Sequence, residues 1–216
     1  MDKQDLTEKT IVVTAGGTQE PIDPVRHIGN RSSGKMGYAL AEAARDRGAE
    51  VTLITAPTAL SDPSGVKIVR IITADEMRKA VLKAVSGAEA LIMAAAVSDY
   101  RVEGPAEQKI KREHGRIILE LVPTTDILSE VPDNIIKVGF AAESEGLIIN
   151  AKIKLERKRL DMIVANDITD ADSGFDVDTN RVTLIDKTGK VEELPLMSKR
   201  EVAEMILDRV AGILRG

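Results

Sequence analysis

The residues best suited to do chemistry fall in one stretch, Thr10 to Gly48. Asp23-Pro24-Val25-Arg26 is followed by Asn30-Arg31-Ser32-Ser33-Gly34-Lys35 and then by a helical pattern. Arg26 brings a guanidinium, Asn30 a carboxamide, Ser32 and Ser33 hydroxyls, and the helix start brings free backbone N–H groups at the positive end of a dipole. Such donors suit anionic oxygen, either a phosphate or a carbonyl that gains charge during a reaction. An amide three residues before a helix, as Asn30 is, can donate to a carbonyl or an oxyanion. The serines and the arginine have plainer alternatives, Ser32 or Ser33 as an N-cap and Arg26 as one half of an Asp23–Arg26 loop pair, whereas Asn30 has none.

Two further groups of cations stand apart from that stretch. Lys109-Ile110-Lys111-Arg112 alternates, so on a strand both lysines point the same way, a candidate phosphate clamp. Lys154 and Lys158 lie four residues apart, hence on one helix face, within a basic run that includes Lys152, Arg157 and Arg159. The net charge is −5, which argues against a general nucleic-acid binder. Local basic clusters on an acidic chain fit a small polyanion, the alternative being two solvated faces. Asp99 could hold a hydroxyl or a metal, or cap the next turn.

Other chemistries are excluded by what the chain lacks. It has no cysteine and two histidines, His27 and His114, so thiol nucleophiles, disulfides, thiolate sites and histidine-rich metal sites drop out. No apolar run reaches the roughly 18 residues of a membrane helix, and the polar start has no signal region, so the expected location is cytoplasmic. A nicotinamide enzyme is the first guess for Gly16-Gly17 after a strand. The G-x-G-x-x-G spacing is missing, however, and the second strand ends Ile54-Thr55-Ala56-Pro57 with no acid for a ribose. Gly29 and Gly34-Lys35 have Walker spacing, but Met36 stands where Ser or Thr is needed.

These residues need elements to hold them. After a polar lead over 1–9, residues 10–216 read as a single domain. Apolar runs predict strands at 10–15, 50–55, 66–72 and 90–95, with helices at 33–47 and from 74 to 87. The second helix starts on a Thr73–Glu76 capping box. The continuous apolar run over 90–95 suggests a strand buried on both faces. Alternating strands and helices predict an α/β, doubly wound, mostly parallel Rossmann-like sheet, whose ligands bind beyond the carboxyl ends of the strands. Lys109–Arg112 and Arg116–Val122 read as a two-stranded flap ribbon around Glu113-His114-Gly115. A short helix at 126–130, strands at 135–141 and 161–165 and a helix at 144–159 follow. A loop starts at Gly174-Phe175. A hairpin (181–185 with 191–196) and a final helix, opened by a Ser198–Glu201 box, close the chain.

The same motifs resemble a known family. Asp23-Pro24-Val25-Arg26, Asn30, Ser32-Ser33-Gly34-Lys35-Met36-Gly37, Ala94-Ala95-Ala96-Val97-Ser98-Asp99-Tyr100, Lys109-Ile110-Lys111-Arg112, Asp126-Ile127-Leu128 and Val138-Gly139-Phe140-Ala141-Ala142-Glu143 are similar to the phosphopantothenate–cysteine ligases. So are Ala165-Asn166-Asp167 and Gly174-Phe175, in the same order over nearly the whole chain. These enzymes are the synthetase half of a bifunctional coenzyme A biosynthesis protein. The resemblance implies CTP and Mg²⁺, an acyl-cytidylate made from 4′-phosphopantothenate with release of pyrophosphate, and attack by cysteine with release of CMP.

It implies CTP contacts at Met93, Ala94, Ala95, Asp99, Lys109, Thr125, Asp126, Ile127, Leu128, Phe140, Lys154 and Lys158. It assigns the phosphopantothenoyl group and acyl intermediate to Arg26, Asn30 and Ala95, and makes Asn30, Lys109 and Arg26 the candidate catalytic residues. It further implies a homodimer with contacts in the Asp23–Gly37 stretch, and a flavin-dependent decarboxylase as a fused or associated partner. No nucleic acid or membrane partner is implied, and no dedicated protein metal ligand, since Mg²⁺ would ride mainly on CTP. Two positions depart from the pattern, Arg112 where a lysine is usual and Thr125 where a proline is usual. An NADP-dependent reductase and a non-catalytic nucleotide-binding module are the competing classes.

Overall fold

The computed structural model describes residues 3–112, 115–143, 145–167 and 177–216. In chain order it places β1 (Thr10–Ala15), β2 (Gln19–Pro21), β3 (His27–Gly29), α1 (Lys35–Asp46), β4 (Glu50–Thr55), β5 (Lys67–Arg70) and α2 (Ala74–Ala84). Next come β6 (Ala90–Met93), β7 (Tyr100–Val102), β8 (Leu121–Pro123), α3 (Ile127–Glu130), β9 (Ile136–Glu143), α4 (Leu147–Arg157) and β10 (Met162–Asp167). The C-terminal part holds β11 (Thr179–Asn180), β12 (Val182–Asp186), β13 (Val191–Glu193), β14 (Met197–Ser198) and α5 (Lys199–Arg215).

Eight strands make one sheet in the order β13-β12-β10-β9-β6-β1-β4-β5. The run from β10 to β5 is parallel throughout, and β12 and β13 extend it antiparallel. Alternate residues of each strand enter opposite cores. Ile11 and Val13 pack with Tyr38 and Leu40 of α1 and with Val202, Ile206 and Val210 of α5. Val12 packs on the other face with Met77 and Val81 of α2, Ile127 of α3, and Ala151 and Leu155 of α4. The doubly wound expectation therefore holds, with α1 and α5 on one face and α2, α3 and α4 on the other.

Local signals act as their chemistry predicts at most boundaries. Both capping boxes form: Thr73 Oγ1 accepts from Glu76 N at 3.2 Å, and Ser198 Oγ accepts from Glu201 N at 3.2 Å. Helix α1 differs. Neither serine stands at its cap; Gly34 does, at φ 79°, a left-handed conformation that favours glycine, and its N–H donates to Ser32 Oγ at 3.4 Å. The segment between β1 and α1 is also more ordered than a plain loop, since β2 and β3 pair as a short antiparallel hairpin.

The flap ribbon requires a correction. Lys109–Arg112 and the first residues after Gly115 are not strands. The paired strands are β7 and β8, with Tyr100 opposite Pro123 and Val102 opposite Leu121. The reason lies in where the backbone groups of the intervening arm go. Ala106 N donates to Ile22 O at 2.9 Å, and Ile110 N donates to Asp23 Oδ2 at 3.1 Å, so the arm is held by the β2–β3 loop and not by a ladder partner. The inference that Lys109 and Lys111 share a strand face falls with it. The Glu113-His114 tip and the Gly174-Phe175 loop lie outside the described residues.

Candidate active site

The strand order reverses between β1 and β6, the place where an open α/β sheet leaves a crevice beyond its carboxyl ends. Gly17 continues past β1 to form a parallel bridge with Ala96. Ala96 N donates to Gly16 O at 2.8 Å and Thr18 N to Ala96 O at 3.2 Å, which locks the two strand ends together. Beneath them, Thr18 Oγ1 accepts from Ser98 N at 2.9 Å, and Thr124 Oγ1 donates to Ser98 O at 2.6 Å. Helix α1 approaches β1 closely at Gly37, where a Cβ would stand 2.6 Å from the Ala15 Cβ. The close crossing brings the start of α1 down to the crevice.

A cavity of about 1130 Å³ opens there. Its wall contains Asn30, Met93, Ala94, Ala95, Asp99, Thr125, Asp126, Ile127, Leu128, Phe140, Lys154 and Lys158. Lys109 and Arg26 are not in the wall. Arg26 borders a separate hollow of about 320 Å³ beside Val25, His27 and Ile72. The large cavity carries six basic side chains (Arg31, Lys35, Lys154, Arg157, Lys158 and Lys199) against two acidic ones (Asp99 and Asp126) among the described residues. That excess of positive charge in a concave site draws in anionic ligands.

The polar groups of the wall are oriented by neighbours. Lys154 Nζ donates to Phe140 O at 2.8 Å, and Lys158 Nζ pairs with the Asp126 carboxylate, so the two lysines tie α4 to β9 and to the start of α3. Asn30 Nδ2 donates to Val97 O at 3.2 Å. A carboxamide has a second N–H and an acceptor oxygen, so this bond fixes the side chain and leaves donor capacity. Arg26 donates through Nε and Nη2 to Asp23, whose carboxylate its hydrogen bonds hold well below the usual acid range. The loop pair weighed as the plain alternative for Arg26 is thus formed.

Lys199 and Asn180 are wall residues that motif reading did not single out. Both are buried, and Lys199 Nζ donates to Val177 O and, at 3.4 Å, to Thr179 O. The available signal was position: Lys199 follows the cap residue Ser198 and so opens a second helix toward the crevice. Among the described residues no three His, Cys, Asp or Glu side chains cluster as a metal cage.

Fold and site together define a Rossmann-like α/β protein with an anion-attracting cavity at the sheet's switch point. The chain belongs to the DNA/pantothenate metabolism flavoprotein C-terminal domain family, whose model matches residues 6–214. It is 44% identical over 212 residues to the coenzyme A biosynthesis bifunctional protein CoaBC of Bacillus subtilis, covering 96% of this chain and 52% of that protein. It is 42% identical over 222 residues to a cysteine/cysteine sulfinic acid decarboxylase of an unknown prokaryotic organism, covering 98% of this chain and 62% of that one. The crystal structure of the C-terminal domain of CoaBC matches with a TM-score of 0.85 at 41% identity, over 99% of each chain. The chain thus spans about half the length of the CoaBC proteins it matches.

Proposed function

We propose that the protein is a phosphopantothenate–cysteine ligase that uses CTP. The carrying observation is the cavity, which brings Asn30 from the α1 side together with Asp99, Asp126, Phe140, Lys154 and Lys158 from the α3 and α4 side. The near-complete match to the C-terminal domain of CoaBC supports the same reading. The missing dinucleotide spacing disfavours the reductase alternative.

In this reading a carboxylate oxygen of 4′-phosphopantothenate attacks the α-phosphorus of CTP. The bond to the β-phosphate breaks and pyrophosphate leaves. The cysteine amine then attacks the acyl carbon of the acyl-cytidylate, the amide forms with loss of a proton, and CMP departs. Lys154 and Lys158 supply positive charge to the triphosphate, as preorganised cations whose positions Phe140 and Asp126 already set. Asn30 offers its remaining N–H to the acyl oxygen as that oxygen gains charge. Lys109 acts from the arm held by the β2–β3 loop. Holding both reactants in one cavity converts each step to an intramolecular one. Mg²⁺ supplies charge neutralisation on the phosphates. Among the described residues the cavity wall carries two carboxylates, Asp99 and Asp126, which could add ligands to an ion that the nucleotide brings with it. A second copy of the chain is the proposed partner at the loop carrying exposed Val25, next to exposed Ile72.

Pyrophosphate release tests the reading. It is expected with CTP, 4′-phosphopantothenate and Mg²⁺, with acyl-cytidylate accumulating until cysteine is added. Saturation by ATP at lower concentration than CTP, or no release with either, overturns it.

A further inference from the structure

We propose that Asp23 is a positioning residue for Lys109: with Arg26 it clamps both backbone polar groups of Ile110 and fixes the base of the arm that carries the lysine. Ile110 N donates to Asp23 Oδ2 at 3.1 Å, and Arg26 Nη2 donates to Ile110 O at 2.8 Å. A residue gripped at N–H and C=O has the alignment a strand partner would give it, here supplied by two side chains from far along the chain. The flanking residues, Lys109 and Lys111, are then both referred to the β2–β3 loop.

The two oxygens of Asp23 divide the work. Oδ1 accepts from Val25 N and Arg26 N, both at 2.9 Å, and builds the turn itself. Oδ2 accepts from Arg26 Nε at 3.0 Å, from Arg26 Nη2 and from Ile110 N. The side chain has no solvent exposure, whereas that of Arg26 is 42% exposed, so the carboxylate is the fixed centre of the clamp. The bonds from Arg26 keep it ionised, and a charged acceptor makes the stronger hydrogen bond.

This division supplies the test. Asp23→Asn can keep an oxygen at the Oδ1 place and the turn intact, while its NH₂ at the Oδ2 place faces three donor hydrogens with nothing to accept them. Without nucleotide, trypsin is expected to cut after Lys109, Lys111 and Arg112 about 10-fold faster than in the parent protein, as loss of a charge-assisted bond raises the open population. The thermal melt should remain cooperative. If Asp23→Asn does not fold, Arg26→Gln carries the same proteolysis test, since no ligand is present for Arg26 to touch. Equal cutting of parent and variant overturns the clamp.

The consequence for Lys109 rests on the CTP reading and is measured separately, as CTP affinity by calorimetry. Asp23→Asn should weaken CTP binding about 10-fold in the parent and less than about 2-fold in a Lys109→Gln background, where the lysine it positions is gone. Equal weakening in both backgrounds makes Asp23 merely structural and refutes the positioning role. Absence of CTP binding by the parent protein refutes the function proposed above, and the proteolysis result still decides the clamp.

Discussion

Gly37→Ala measures how tightly the start of α1 is tied to the sheet. The added methyl would stand 2.6 Å from the Ala15 Cβ, 2.7 Å from Thr14 O and 3.1 Å from the Ala15 Cα. Ordinary contact begins near 3.4 Å, so helix and strand must part by about 0.8 Å. Nothing flexible can yield: Thr14 and Ala15 lie in β1, paired with β4 on one side, with Thr14 also opposite Met93 of β6 on the other. Overpacking of this kind costs about 1–3 kcal/mol. Replacing glycine by alanine in a helix gains up to about 1 kcal/mol, less in a first turn. The clash wins, and a net loss of about 1–2 kcal/mol is expected.

Gly212→Ala provides the internal control, being the same substitution within α5 with nothing within 4 Å of the new carbon. It should be neutral or stabilise by up to about 1 kcal/mol. Urea unfolding of both variants supplies the comparison, and turnover supplies a second reading. The α1 terminus that lines the cavity begins two residues before Gly37, and a displacement near 1 Å can cost about 10²-fold in rate. A Gly37→Ala protein as stable and as active as Gly212→Ala would refute the reasoning.

Other expectations follow from the proposed reaction and from the Asp5–Arg47 pair. Lys109→Gln should abolish pyrophosphate release even without cysteine. Asn30→Asp should release pyrophosphate and accumulate acyl-cytidylate, then stall on cysteine addition with a rate loss of about 10²–10³, because a carboxylate repels the developing oxyanion. Turnover of Asn30→Asp at the parent rate would reject that role. Acid should destabilise the fold through Asp5, whose pKa is lowered from its ordinary 3.8 chiefly by a hydrogen bond from buried Arg47. A lowered folded value gives stability that is present above the unfolded pKa and lost as pH falls through the folded one. Melting temperature should therefore drop below about pH 4, and Arg47→Met should flatten that part of the drop.

Much of this architecture is legible in the chain because its signals are local or strongly patterned. The runs Ile11-Val12-Val13 and Ala90-Leu91-Ile92-Met93 are apolar on every residue, which only a strand covered on both faces requires, and both are central strands. Thr73–Glu76 and Ser198–Glu201 cap through contacts three residues apart, so no tertiary knowledge is needed. The β2–β3 hairpin escapes because Gln19-Glu20-Pro21 and His27-Ile28-Gly29 are too short to alternate. Buried Glu20 gains its place by accepting from Ala74 N at 2.8 Å, at the start of α2 and 54 residues away. The Lys-Ile-Lys alternation imitates a strand, but the partner of Ile110 is a loop 84 residues earlier. Periodicity reports a side chain's surroundings only when the backbone is already committed, and here a distant carboxylate commits it.

The same distinction explains why one crevice can serve both proposed half-reactions. Helices α1 and α4 lie on opposite faces of the sheet and bury separate cores, so their side chains meet only beyond the strand ends. The reversal between β1 and β6 is where the two faces share an opening. Activation of a carboxylate needs cations around departing phosphate, and Lys154 and Lys158 come from the α4 face. Amine attack needs a neutral donor at the acyl oxygen, and Asn30 comes from the α1 face. The acyl-cytidylate joins an acyl carbon to the α-phosphorus through one oxygen, so the two donor sets must stand within one intermediate's reach. A charged group at the acyl oxygen and an amide at the pyrophosphate would each be poorly matched to the charge that develops. In the proposed reaction the α4-face lysines and Asn30 meet at the switch point, and Lys109 joins the first step from the arm held by the β2–β3 loop, so each step would have donors matched to its own charge.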